Sequence, residues 1–218
     1  MNKHLHRWAW PFDAYRPIFE TAREMNMRLL ALNVNSEDLS LVSTGGFPAL
    51  GREKLKTYIN DPKGFAKLAS TESFKEYVNY VITPSYKLHQ SMGILKDNQS
   101  FERFLSGRLL WDETMANVSA NWCNNNPDGI LLGCVGLDHI KFANGIPARF
   151  SRLCANPNSS NISLLLNPTL TDTRPPGTVS MVANLATSTD RITLQLPYED
   201  DGVERSGVLP LADYLVLT

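Results

Sequence analysis

The stretch "ILLGCVGLDH", residues 130–139, decides the reading of the fold. Ile130 to Val135 form an uncharged apolar run that is short for a helix and suits a strand buried on both faces. Gly136 ends the run, and three residues later comes His139. In an open parallel sheet, ligands bind beyond the carboxyl ends of the strands, where loops carry the chemistry on a rigid base. His139 therefore stands where a ligand-facing side chain belongs. Gly136 is expected to let the backbone turn sharply or approach a ligand closely.

Working outward, "NNNPDG" before the run is a turn, and a long helix is predicted ahead of it, from about Gln99 to Asn124. Phe104, Trp111, Met115, Val118 and Trp122 give that helix an apolar stripe. Arg108 interrupts the stripe, and Asp112 lies beside it one turn later. A further helical region, about Thr71 to Gly93, is divided by Pro84, with Thr83 suited to an N-cap and Gly93 to a stop. Its second half places Tyr86 and His89 on one face. Near the start, Tyr15, Ile18, Phe19, Ala22 and Met25 recur at helical spacing, and "RLLALNV", Arg28 to Val34, reads as a second short strand. Helices alternating with such strands predict an α/β fold, a mixed, largely parallel sheet flanked by helices, over residues 1–153. From Asn156 the composition turns to Pro, Gly, Thr, Ser and Asn, with β-type runs at "ISLLL", "RITLQL" and "YLVL". Residues 154–218 are therefore expected to form a β-rich C-terminal extension.

Composition prunes the function classes. With 21 basic against 22 acidic residues in a chain of 218, no whole-molecule field draws the protein to nucleic acid or to an anionic membrane. No apolar stretch is long enough to span a bilayer. "MNKHLHRWAWPFDAYRP" lacks the apolar core of a signal peptide and the character of a transit peptide, so the chain is expected to be soluble and without an address. Cys123, Cys134 and Cys154 match neither a disulfide framework nor a CxxC metal pair and read as reduced thiols, Cys134 within the buried run. There is no P-loop, no GxGxxG after a strand, no GxSxG elbow and no HExxH.

Each candidate site residue has an ordinary alternative. A neutral imidazole such as His139 is the commonest protein metal ligand, yet a GxxH stretch also describes a histidine that hydrogen-bonds a neighbouring loop. Asp112 can orient an imidazole, or pair with Arg108 one turn earlier. Glu113 points away from the stripe and is expected in solvent. His89 and Tyr86 can offer a nitrogen and a phenolic oxygen to a metal or porphyrin, or lie plainly on a helix surface. Arg149 can hold a carboxylate or propionate in bidentate fashion, or sit on a loop at the surface.

Three blocks taken together, "WPFDAYRPIFETAREMNMRLLALNV", "LLWDETMA" at Leu109–Ala116 and "GLDHIKFANGIPARF" at Gly136–Phe150, resemble in order and spacing the ChaN-like haem-binding uptake domains of the Tiki superfamily. The resemblance covers roughly residues 8–153. The tail, with "LLLNPTLTDTRPPGTVS" and "GVLPLADYLVLT", looks like the extension of plant and algal plastid members, which implies a plastid setting. By position, Gly136 and His139 match the family's second GxxH motif, Asp112 and Glu113 match the acidic pair of its WDxxMA block, and His89 falls where a helical histidine is often seen. The resemblance thus favours a site role for His139. The family domain is expected to begin with a strand and a first GExH-type motif upstream of the helix that opens this chain, and no stretch here matches it. The expectation is therefore a partial domain: an incomplete gene product, or a relative whose cleft another chain completes or which has lost it.

What the resemblance implies is a binding protein for haem or a related tetrapyrrole, an iron ligand, with His139 or Tyr86 as axial donor and Arg149 for the propionates. The alternative is a metal-dependent hydrolase of the Tiki type, in which His139 holds a divalent metal and Asp112 or Glu113 orients a ligand or acts as general base. The third reading is a non-catalytic interaction domain. The expected partners are a small-molecule ligand or a chain completing the domain, with homo-oligomerisation a further option.

Overall fold

The helix α1, Phe12–Glu24, ends where Asn26 takes the left-handed conformation (φ 51°) and the Met27 amide reaches back to the Ala22 carbonyl at 2.7 Å, a closure that satisfies the last carbonyls. Phe12 and Phe19 stack along it with ring centroids 5.4 Å apart. The computed structural model describes residues 12–95, 99–157, 159–168, 193–195 and 208–217. The chain divides into two units, Met1–Ala31, to which α1 belongs, and Leu32–Thr218.

In the second unit the Asn35 side chain caps α2, Ser36–Gly45, by accepting from the Glu37 and Asp38 amides. A 3₁₀ turn, Phe47–Leu50, leads to α3, Arg52–Tyr58. Buried Asp38 joins the two helices: Lys54 Nζ and Tyr58 OH donate to it at 2.5 and 2.6 Å, and the two bonds hold its carboxyl below the usual range. Asp61 caps α4, Pro62–Ala69, and Thr71 caps α5, Glu72–Tyr77. Helix α6, Thr83–Ser91, follows after a π-helical turn, Val78–Ile82. Pro84 has no N–H for the Tyr80 carbonyl, which accounts for a widened turn at this place. The expected break with a cap at Thr83 is thereby corrected, since Thr83 is itself helical (φ −63°, ψ −45°).

Ser100 caps α7, Phe101–Asn125, through the Arg103 amide. Helices α2 and α8, Ile146–Leu153, pack on α7. Its middle is enclosed on every side: Leu109, Leu110, Met115 and Ala116 are buried, and so are Arg108, Asp112, Glu113, Thr114 and Asn117. One apolar cluster joins Phe74, Tyr77, Val81, Ile82 and Leu109 to Phe142, Leu165, Leu211 and Ala212, and a second joins Val34, Val42, Leu50 and Leu110. Each buried Val, Leu, Ile or Phe among them contributes about 1.5–3 kcal/mol of transfer free energy.

The sheet departs from expectation. Neither Arg28–Val34 nor Ile130–Val135 forms a strand, and no backbone group of residues 130–135 has a hydrogen-bond partner among the described residues. Ile130 is 93% exposed and Leu132 67%, and Cys134 is exposed as well. An apolar run supplies side chains for a strand but not the neighbouring ladder that makes one, and here no described segment pairs with it. The fold is therefore α/β with helices predominating. Its parallel pairing is the two-stranded ladder of β1, Leu164–Leu166, with β4, Tyr214–Val216. Asp213 Oδ2 accepts from both the amide and the hydroxyl of Ser163 at 2.8 Å and so pins that register. Between them in sequence, β2, Thr193–Gln195, pairs antiparallel with β3, Val208–Pro210. Most of residues 169–207, on which the β-rich extension rests, lies outside the described residues. Among the described residues no helix is long and apolar enough to cross a membrane.

Candidate functional site

Asp112 sits at the middle of α7, buried, and the loop after residue 135 returns to it. The loop makes two 3₁₀ turns, Leu137–His139 and Lys141–Ala143, and brings His139 Nδ1 into a short hydrogen bond with Asp112 Oδ1. Arg108 Nε donates to both carboxylate oxygens at 3.2 Å. Its NH2 group donates to Tyr77 OH at 3.1 Å, and Tyr77 OH donates to the Asp138 carbonyl at 2.5 Å. A continuous polar chain thus runs from α5 through α7 to the histidine loop. The expected choice between Asp112 orienting an imidazole and Asp112 pairing with Arg108 has both answers at once.

Burial alone would raise the Asp112 carboxyl, but Arg108 and then His139 outweigh it and bring it down to about 2. The ionised carboxylate only accepts hydrogen bonds, so the proton of this contact belongs to His139 Nδ1. The remaining nitrogen, Nε2, has no partner among the described residues, and His139 is 12% exposed. Trp111 presents its ring to the imidazole edge-on with centroids 5.2 Å apart, and is itself held by Asn33, which accepts from its Nε1 at 2.6 Å. Burial pushes the Tyr77 hydroxyl far up, so it serves as a neutral bridge. On Arg108 burial works downward, but Asp112 and Tyr77 prevail and keep it charged.

This geometry has a pH signature. A carboxyl near 2 in the folded chain and near 3.9 unfolded contributes roughly 2 kcal/mol above pH 4, which is lost as pH falls from about 4 to 2. Glu113, whose carboxyl burial raises, carries the opposite sign. Urea unfolding of the parent and Asp112→Asn chains at pH 6 and pH 3 isolates the Asp112 part: the stability gap between the two chains is expected to narrow at pH 3. A constant gap would disprove the assignment.

The loop is strained where it turns. Phe142 and Ala143 both take φ 55°, which costs of order 1–3 kcal/mol each. The Phe142 amide is held by the Leu211 carbonyl at 2.9 Å. The glycine that matters here is Gly145: a Cβ on it would stand 2.0 Å from the His139 carbonyl oxygen and 2.9 Å from Tyr77 OH. Gly136 differs from expectation, having an ordinary backbone (φ −61°, ψ 139°) and ordinary space for a Cβ, 3.6 Å from His139 Cδ2. Its carbonyl accepts from the His139 amide at 3.0 Å, which closes the 3₁₀ turn.

The other candidates divide. Glu113, expected in solvent, is fully buried, because α7 is enclosed by α8; it accepts a short hydrogen bond from Arg152 NH2 and lies 3.5 Å from Arg149 Nε. Arg152 NH1 also donates to Asp61 Oδ2 at 2.6 Å. Arg149, expected on a loop to clasp a propionate, is a fully buried residue of α8. Its NH1 donates to the carbonyls of Asn144 and Gly145 at 2.9 and 3.0 Å, and its guanidinium lies over the Phe74 ring. It is a structural cation beneath the loop. Tyr86 and His89 make their contacts with Phe101 and Phe104 at the start of α7. Tyr86 OH donates to the Gln99 carbonyl at 2.9 Å, so its oxygen is already committed, while His89 Nδ1 donates to the Ser85 carbonyl at 2.7 Å. Tyr77 escaped the sequence reading, since a tyrosine at helical spacing carries no sign of its long-range partner.

Among the described residues no three His, Cys, Asp or Glu side chains gather as for a metal ion. The donor set at His139 is one anchored imidazole nitrogen, which fits an axial ligand of haem, whose porphyrin supplies the other four nitrogens. No curated protein and no solved structure matches the chain. A family model described as haem-binding uptake, Tiki superfamily, ChaN matches residues 1–150. That span is more than two-thirds of the chain and holds both Asp112 and His139, and the protein belongs to this ChaN family.

Proposed function

We propose that the chain binds haem or a closely related iron tetrapyrrole with His139 Nε2 as the axial donor. The observation that carries the reading is the buried Asp112 carboxylate on His139 Nδ1, which leaves Nε2 as the only nitrogen of that ring available to a ligand. Asp112 fixes the tautomer and the ring orientation and makes Nε2 a stronger donor, Arg108 balances the buried charge, and Trp111 forms an apolar wall beside the ring. Haem, when bound, supplies an iron that accepts the imidazole lone pair. Titration of the full chain with hemin tests this: the Soret band is expected to shift and saturate at one equivalent, and an unshifted band would sink the proposal. A plastid setting rests on the resemblance of the tail alone.

A specific observation also favours the expectation of a chain completing the domain. The unpaired, exposed run Ile130–Val135 leads directly into Gly136 and His139, and an open run of this kind is a template for a further strand. On this reading a strand from another polypeptide, a second copy included, pairs with residues 130–135 and stiffens the site. Hydrogen exchange at increasing protein concentration is the check. Protection of the 130–135 amides that rises with concentration marks a second copy, protection that appears only on adding cell extract marks another polypeptide, and amides that exchange freely under both conditions remove the reading.

A further inference from the structure

Cys123 lies in the last turn of α7, and Cys154 is the residue that ends α8; both are half-buried. The side chain of Asn124 fastens these two helix ends together. Its Nδ2 donates to the Leu153 carbonyl at 3.3 Å, and its Oδ1 accepts from the Ala155 amide at 2.8 Å and from the Cys154 thiol at 3.4 Å. Cys154 Sγ also lies 3.1 Å from Ser159 Oγ. The Asn124 contacts seat the residue next to Cys123 directly on Cys154 and so bring the two cysteine positions together; burial pushes the Cys123 thiol up, and Cys154 adds to that rise. Cys134, by contrast, is exposed.

We propose that Cys123 and Cys154 form a redox pair, whose disulfide ties the end of α7 to the end of α8 and closes the chain segment that carries His139. The segment between them holds the open run 130–135, the strained turn at Phe142 and Ala143, and Arg149. A cross-link of this kind acts mainly by restricting the unfolded and partly opened states of the enclosed loop. In the reduced chain the loop is held by non-covalent contacts, those to Asp112, Tyr77, Arg149 and Leu211 among them; in the oxidised chain a covalent bond ties its two ends as well.

The co-reactant is a low-molecular-weight disulfide, RSSR. One cysteine thiolate attacks a sulfur of RSSR, breaking its S–S bond, forming a mixed disulfide and releasing one thiolate RS⁻. The second cysteine thiolate attacks the protein sulfur of that mixed disulfide, forming the Cys123–Cys154 bond and releasing the second RS⁻. The two protons lost by the cysteines go to the two released thiolates. Two protein thiols are oxidised and one RSSR is reduced to two RSH. The raised Cys123 thiol predicts that the exchange is slow at neutral pH and faster as pH rises.

The test incubates the full chain with oxidised glutathione, alkylates the remaining thiols, and maps the products by mass spectrometry. Expected are one alkylated cysteine, Cys134, a linked peptide pair containing Cys123 and Cys154, and a melting midpoint raised by roughly 5–10 °C over the reduced chain. Cys134→Ser is expected to keep the shift and Cys123→Ser to lose it. Three alkylatable thiols after oxidation, a bond through Cys134, or stable glutathione adducts on Cys123 and Cys154 would each overturn the proposal. The outcome is independent of haem binding.

Discussion

Replacing Arg149 by methionine lowers the stability of the chain by about 3–5 kcal/mol, the cost of removing one partner from a buried ion pair. The guanidinium is fully buried, is 3.5 Å from Glu113 Oε2 and donates to the carbonyls of Asn144 and Gly145. Methionine can fill much of the space over Phe74, so the loss comes chiefly from two buried carbonyls that lose this donor and a carboxylate that loses one of its two cations. The carbonyls belong to the segment that turns His139 towards Asp112, so the same variant also loosens that contact. Urea unfolding at pH 7 measures the effect. The double variant Arg149→Met, Glu113→Leu is expected to recover part of the loss, because the stranded charge is gone. A single-variant loss below about 1 kcal/mol would mean that Arg149 is not the cation supporting this loop.

The second large effect falls on the ligand. His139→Ala is expected to abolish the hemin-dependent Soret shift, since it deletes the one nitrogen held ready for iron, while the far-UV circular dichroism stays close to the parent. Asp112→Asn keeps a hydrogen-bonding group near the imidazole but removes the charge that fixes its Nδ1 proton. Loss of such an outer partner weakens metal-ligand binding about 10–100-fold, and that is the expected fall in hemin affinity, read by titration at pH 7. Arg149→Met differs, being expected to lower stability first. Tyr86→Phe is the contrasting variant: its hydroxyl is spent on the Gln99 carbonyl, so hemin affinity is expected to be unchanged. A full Soret response in His139→Ala would transfer the axial role to another residue.

Periodicity marked much of the helical frame. A helix from about Gln99 to Asn124 was readable because the stripe from Phe104 to Trp122 repeats at helical spacing; the observed helix is Phe101–Asn125, and its Ser100 cap was shown by the structure. Local signals did not extend to the strands. "RLLALNV" and "ILLGCV" have the composition of buried strands, but a strand exists only when another segment offers it a ladder, and that is a property of the assembled chain. The site was half legible. Gly136–His139 was visible as a GxxH stretch and Asp112 as a carboxylate one turn from Arg108, yet their meeting depends on a loop that returns across α7 through two residues at φ 55°.

What the sequence by itself determined was where α7 begins and ends and that Arg108, Asp112 and Glu113 share its middle turns, because capping and helical spacing act within a few residues. Which of those charges faces solvent was decided only by the tertiary structure. With α2 and α8 packed on it, α7 has no wet face at that level, and a charge taken from water must be paired. Asp112 therefore meets Arg108 and His139, Glu113 meets Arg152 and Arg149, and the imidazole nitrogen proposed to bind a ligand is the one those pairings leave over.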